Sequence, residues 1–227
     1  MSVDIFEFWS QVGLGDTQHP QDRDVLSRMG DSHGFDLHCL PSCFMGPLRA
    51  AQVVLLYSSQ AIDPSDLQEA KADKGRKRIQ EQRKGTQPLP SGVDHKSSWK
   101  WWEKQTRCFG DWKELRDKIA ILDICAYHSK TIKNHACLAA LPSSRVSIEW
   151  AQTVLFPKAI AGERVVICLR ATRYWGLDAG KEGNKYGESL YAPQVTQGGH
   201  MKKGRMRDEI IKKVKDFINP GADQSAT

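Results

Sequence analysis

The sequence predicts an α/β layered fold with a short, mainly parallel sheet. Continuous apolar runs at 51–58 (AQVVLLYS), 118–125 (KIAILDIC) and 164–170 (RVVICLR) read as strands covered on both faces, the pattern of a parallel sheet. These runs alternate with helix-permissive stretches, and right-handed crossovers then gather the connecting loops beyond the strand C-termini. Functional residues are expected in those loops.

The elements follow in order. Asp4 caps a short amphipathic helix with Ile5, Phe6, Trp9 and Val12 on its apolar face, and Val25, Leu26 and Met29 mark a second helix. Gly46 and Pro47 turn the chain into the first strand, and residues 67–83 are helix-permissive and basic. The stretch 85–92 (GTQPLPSG) breaks regular structure and is the best candidate for a mobile loop; SSWKWWEKQ then supplies Trp99, Trp101 and Trp102. A helix over 111–117 leads into the second strand. After the loop AYHSKTIKNH comes a helix over 147–155, with Ser147 as cap and Pro157 as stop. Residues 178–187 form a glycine-rich loop, SLYAPQV gives a short fourth strand, and an amphipathic helix closes the sequence over 205–218, with Ile210, Ile211, Val214, Phe217 and Ile218 inward.

Composition bounds the rest. The 227 residues, 40% apolar and 26% charged, fit one globular domain over 1–227 with a basic and Trp-rich insertion at about 66–104. The formal net charge of +6 suits an anionic partner, although much of the excess lies at 71–84, where a solvated helix face accounts for it equally. Cys125 and Cys168 lie in apolar runs, where thiols act as small hydrophobes in a reducing compartment. The start, MSVDIFEFWSQVG, lacks the basic region of a secretory signal, and no apolar run approaches a membrane span. The expectation is a cytoplasmic monomer with no membrane association. P-loop, GxGxxG and HExxH motifs are absent, which removes the common nucleotide and zinc-protease readings.

Four ordered segments, FMGPLRAAQVVLLYSSQ, ILDICAYHSK, RVVICLRATRYWGL and SLYAPQVTQGGHM, resemble the uracil-DNA glycosylase superfamily, especially its divergent bacterial members, over residues 44–214. The resemblance implies a three-layer α/β/α sandwich with a short, mainly parallel central sheet, DNA as partner and a flipped-out base held in a pocket. Some members hold an iron–sulfur cluster, but the spacing of His33, His38, Cys39 and Cys43 fits neither that cluster nor a zinc ribbon. No metal or cofactor is expected.

In that superfamily an Asp or Asn after the first strand positions the attacking water. Here YSSQA puts Ser59 at that place, and a serine orients water without supplying anionic charge. Asp63, in a displaced Asp-Pro pair, either takes the role through a shifted loop or caps the helix beginning near Pro64. Ala61 stands where uracil-specific members carry a tyrosine wall against the C5 substituent, so it opens room for a large group there unless a neighbouring side chain fills it.

Asp123 matches an Asn that reads the uracil edge. An ionised carboxylate only accepts hydrogen bonds, so it suits the exocyclic amine of cytosine and opposes uracil O4. Leaving such a buried group unpaired costs about 1–3 kcal/mol. The alternative is a structural carboxylate bonded to loop amides.

Tyr127, His128 and Ser129 are expected over the pocket, with His128 donating to base or phosphate or serving as a structural loop histidine. Trp101 is a candidate to stack on the extruded base. Arg170 and Arg173 hold phosphates, or form surface salt bridges. In APQVTQGGHM, His200 is the candidate for stabilising the leaving base, with Gly198 and Gly199 allowing close approach and Lys202 and Lys203 at the DNA backbone; a solvated basic turn is the alternative.

The expected activity is therefore that of a monofunctional DNA glycosylase, since no lysine is marked as a Schiff-base nucleophile. Ala61 and Asp123 together point to a C5-modified cytosine, hydroxymethylated or glucosylated, in bacteriophage DNA, and hence to antiviral defence. Excision of uracil or a deaminated base from genomic DNA, and a catalytically inactive DNA-binding module, are the alternatives.

Overall fold

Residues 3–91, 96–130, 132 and 136–220 are described in the structure, a computed structural model. Strands β1 (Phe44–Met45), β2 (Val53–Ser59), β3 (Ile119–Cys125), β4 (Val165–Cys168), β5 (Asn184–Tyr186) and β6 (Leu190–Ala192) form, among the described residues, a six-stranded sheet in the order β1-β3-β2-β4-β6-β5. The inner four, β3, β2, β4 and β6, run parallel, and β1 and β5 pair antiparallel at the edges. The chain passes from β2 to β3 on one side, then returns past β2 to β4 on the other. That reversal opens a crevice beyond the C-terminal end of β2, the usual place for a ligand in an α/β sheet.

Helices α1 (Ile5–Ser10), α2 (Arg23–Met29), α3 (Pro64–Lys71), α4 (Asp73–Gln82), α5 (Lys96–Thr106), α6 (Trp112–Leu115), α7 (Ala136–Ala140), α8 (Pro142–Trp150), α9 (Phe156–Ile160) and α10 (Arg205–Ile218) are the α-helices among the described residues. Successive strand residues face opposite ways. Val54, Leu56, Leu122 and Val166 therefore meet Trp9, Leu138 and Trp150 from α1, α7 and α8. Val53, Leu55, Ile121 and Ile167 meet Trp102, Trp112, Ile210 and Val214 from α5, α6 and α10. Helices cover both faces, which is why these strands are apolar on both sides until their C-terminal ends, where Ser58, Ser59 and Asp123 appear.

Several local expectations are corrected. The basic stretch 67–83 is two helices, broken where Ala72 is extended; a Cβ on Gly75 would stand 2.4 Å from the Glu69 carbonyl oxygen, so the glycine lets α4 fold back on α3. The helix expected over 147–155 begins at Pro142, and Ser147 is buried inside it, its hydroxyl donating to the Ser143 carbonyl at 3.1 Å. Nor does Pro157 stop the chain. A wider π turn at Ala151–Leu155, in which the Phe156 N–H reaches back to the Ala151 carbonyl, leads into α9, whose first turn tolerates Pro157.

The expected mobile loop is pinned over 85–91. Leu89 is fully buried, its N–H donates to the Arg116 carbonyl at 2.7 Å, and Trp112 Nε1 donates to the Pro90 carbonyl at 3.2 Å; Gly92 lies outside the described residues. The glycine-rich stretch 178–187 contains edge strand β5. The stretch 66–104, expected as an insertion, holds most of α3, all of α4 and most of α5, with residues 92–95 outside the described residues. No helix among the described residues is long and apolar enough to cross a membrane.

Candidate active site

A cavity of about 690 Å³ opens where the sheet predicts it, bordered by the loops that follow β2, β3 and β4 and by Gly198 in the turn after β6. Its size lies within the range of small-molecule sites. Tyr57 and Asp123 are register partners on β2 and β3, so their side chains project from the same face of the sheet. Both border the cavity, as does Ser129. Tyr57 Oη, Asp123 Oδ2 and Ser129 Oγ are buried and, among the described residues, have no hydrogen-bond partner. Buried polar atoms are normally paired, so three unpaired ones around one cavity mark it as a candidate polar site.

Asp123 is 2% exposed. Burial pushes its carboxyl up to about 8, while the His128 imidazole and the Gln60 amide favour the charged form and limit the rise. Asp123 thus holds its proton through much of the neutral range, which corrects the expectation of a carboxylate that only accepts. Protonated, it also donates. A ligand amine at Oδ2 draws it back to the ionised, accepting form. The same burial, with Asp123 beside it, raises the Tyr57 phenol, so that group stays neutral.

The loops after β2 and β3 are stitched together. Ser129 N–H donates to the Gln60 carbonyl at 3.1 Å, and His128 Nδ1 lies 3.1 Å from the Ala61 carbonyl oxygen and 3.2 Å from Asp66 Oδ2. Burial opposes a charge on His128, but Asp66, the Ala61 carbonyl and Asp123 together raise it above its ordinary value. His128 borders the cavity and holds the N-terminus of α3 against it.

Asp63 also borders the cavity, and it caps α3: its Oδ1 accepts from Ser65 N–H at 2.9 Å and from the Ser65 hydroxyl at 2.6 Å. Asp66 completes the capping box by accepting the Asp63 N–H at 2.8 Å. The second of the two readings of Asp63 is thus the geometry found. Ser59, the last residue of β2, and the exposed Ala61 line the same opening.

Trp101 and Trp102 come from α5, with ring centroids 4.3 Å apart and an interplanar angle of 87°. Tyr57 lies 5.6 Å from Trp101 and 5.4 Å from Trp102, both edge-on. Trp102 is buried and anchors the helix to the sheet, whereas Trp101 is 40% exposed at the cavity.

Arg170 borders the cavity from the end of β4, and its guanidinium donates to the Gln197 carbonyl, tying that strand to the following turn. The turn is closed by the pairing of Val195 with Met201. His200 N–H donates to Thr196 Oγ1 at 3.3 Å, and its Nε2 stands 3.5 Å from Gln105 Nε2. It is Gly198 that borders the cavity, with His200 beside it and Lys202 and Lys203 exposed just beyond. Arg173 lies on the 3-10 turn Thr172–Trp175, exposed and apart from the lining.

Tyr127 departs from expectation. Its hydroxyl donates to Asp22 Oδ2 at 2.7 Å and accepts from His19 N–H at 3.1 Å, within the core on the opposite face. Residues the sequence did not single out also border the cavity: Gln60, Asp66, Glu69, Arg78 and Gln82. A polar residue directly after a buried strand signals Gln60, but nothing in helical periodicity marks the others.

Chemically, the site offers a carboxyl that changes between donor and acceptor, two neutral hydroxyls, an aromatic face and a guanidinium at the opening. Among the described residues no group of three or more His, Cys, Asp and Glu comes together to hold a metal ion. No protein-family model, no curated protein and no solved structure matches the chain.

Proposed function

We propose that this protein is a monofunctional DNA glycosylase with a fold of the uracil-DNA glycosylase kind, a three-layer α/β/α sandwich. Its substrate is a C5-modified cytosine rotated out of DNA into the cavity. The observation that carries the reading is the buried Asp123 carboxyl, whose Oδ2 has no hydrogen-bond partner among the described residues at the crevice where β2, β3 and β4 end. In its ionised form it accepts the exocyclic amine of cytosine, and uracil O4 has no proton to offer it.

Trp101 stacks on the base, as enzymes acting on extruded bases require. Ala61 leaves the C5 side open, and Ser129 and Tyr57 bond the remaining base edge. Water, oriented by Ser59 or Asp63, adds its oxygen to the deoxyribose C1′; the C1′–N1 bond breaks, its electrons leave with the base, and the proton that the water gives up ends on the base nitrogen. His128, held toward the charged state, and His200 stabilise that departing negative charge. Arg170, with Arg173, Lys202 and Lys203 outside the cavity, holds the backbone phosphates. Excision of a base confined to modified bacteriophage DNA would leave abasic sites there and spare the host, which gives the protein a place in cytoplasmic antiviral defence as a monomer on DNA.

A binding module without chemistry is the second reading, favoured by the engagement of the Asp63 carboxylate in the α3 cap. Abasic-site formation on matched DNAs carrying cytosine, uracil, 5-hydroxymethylcytosine and its glucosylated form separates them. Cleavage at the modified cytosines alone is expected; uracil cleavage returns the protein to repair, and binding with no abasic site favours the module.

A further inference from the structure

The cavity continues beyond the groups that face the base, and its lining there is polar and linked. Gln60 lies beside Asp123, and its Nε2 donates to the Ser42 carbonyl at 3.1 Å. Ser42 Oγ is 3.3 Å from Gln82 Nε2, and Gln82 Oε1 accepts from Arg78 Nη1 at 3.1 Å. Arg78 Nε donates to Glu69 Oε1 at 2.9 Å, while its Nη2 bonds the second carboxylate oxygen. All five of Gln60, Ser42, Gln82, Arg78 and Glu69 border the one cavity.

This compartment suits a neutral polyhydroxyl group. Carboxylate, guanidinium and amide stand side by side, so each sugar hydroxyl finds both a donor and an acceptor. Asp63, Asp66 and Glu69 border the cavity against Arg78, Lys130 and Arg170, so three carboxylates meet three permanent cations, and the fork ties Arg78 to Glu69. Leu40 and Ile79 pack together at the base of α4 and supply the apolar surface against which the C–H face of a sugar ring packs. The fork between Arg78 and Glu69 fixes its hydrogen-bonding groups before a ligand arrives. The orphaned Asp123 Oδ2 shows independently that the same cavity is shaped for a polar ligand.

We propose that Glu69, Arg78 and Gln82 form a hexose subsite that receives a sugar carried on the pyrimidine C5. The proposal rests on the cavity being a base pocket and goes beyond it by committing to a hexosylated base over a hydroxymethylated one. The sugar enters past Ala61 and Ile62, which join the base-reading loop to the capped start of α3.

Single-turnover abasic-site formation on duplexes carrying either 5-hydroxymethylcytosine or its glucosylated form tests it. The wild type is expected to process the glucosylated base about tenfold faster, the worth of one charge-assisted hydrogen bond made in the transition state. Glu69→Gln, which keeps the shape and removes the charge, and Arg78→Lys, which keeps the charge and removes the fork, should each abolish that preference while 5-hydroxymethylcytosine is processed at the wild-type rate. Equal wild-type rates, or equal slowing of both bases by the two variants, overturn the subsite. If the hydroxymethylated base is excised and the glucosylated one is refused, the subsite falls and the base pocket stands. If neither is excised, both fall.

Discussion

Tyr57 and Asp123 sit at the same level of adjacent parallel strands, and an oxygen of each is buried without a hydrogen-bond partner among the described residues. An orphaned buried polar atom costs about 1–3 kcal/mol. Two such atoms side by side at the end of a strand and at one cavity mark a place suited to a polar ligand. The main consequences concern Asp123.

Asp123 titrates in a way that is visible in stability. Its carboxyl, raised from 3.8 to about 8 by burial, keeps a proton in the folded protein that the unfolded chain has already released. Stability therefore falls as pH rises between those values. Asp123→Asn removes this loss, and thermal unfolding at pH 5 and pH 9 should show the wild type losing more than the variant, by something on the order of several kcal/mol. Equal losses would mean that the folded carboxyl ionises normally.

Asp66 ties a proton to a helix end. Its carboxylate both accepts the Asp63 N–H and faces His128 Nδ1. Because the folded imidazole is raised above 6.5, the stability it contributes is full below that value and is lost as pH rises through the folded one. In Asp66→Asn, NMR titration should place the His128 imidazole below its wild-type value, and loss of the capping box should cost about 1 kcal/mol. An unchanged titration would remove Asp66 as the cause.

Trp101 offers a separation of function from folding. It is 40% exposed and meets Trp102 and Tyr57 edge-on, so Trp101→Ala should cost about 0.5–1.5 kcal/mol for each ring contact and leave the fold intact. Stacking on a base is worth about 1–3 kcal/mol, which corresponds to roughly a five- to 150-fold loss of affinity for the flipped base. Fluorescence binding to single-stranded and duplex DNA measures it, and unchanged affinity would place Trp101 outside the contact.

Leu89 tests the anchoring of the Pro- and Gly-rich stretch. It is fully buried against the sheet face that carries α6 and α10. Leu89→Ala should destabilise by about 2–5 kcal/mol in chemical unfolding. A change below 0.5 kcal/mol, typical of surface positions, would mark the stretch as a detached loop.

The inner strands were legible because helices cover both faces, which makes apolar runs continuous. Strands β1 and β5 were not, since two or three residues paired through their backbones leave no side-chain period. The helix around Ser147 was misplaced because Ser143, Ser144 and Ser147 are buried and satisfied locally or left unpaired, so their polarity concealed an inward face. At the site, Ala61, Asp123 and His128 were reached through the resemblance, whose segments end or follow the buried strands. Glu69 and Arg78 could not: their pairing depends on the break at Ala72 and the close approach at Gly75, which helical periodicity does not report. Tyr127 failed for the opposite reason, as a neighbour of the site by sequence whose side chain turns to the other face.

The most direct test pairs two duplexes that differ only at one position, modified cytosine or uracil, with the wild type and Asp123→Asn. Abasic-site formation should occur with the wild type on modified cytosine and hardly on uracil, most selectively above pH 8 where Asp123 only accepts. The Asn variant should lose the first activity and gain on uracil, since its amide donates to O4. Uracil excision by the wild type at high pH, or no abasic site from either base, would contradict the account.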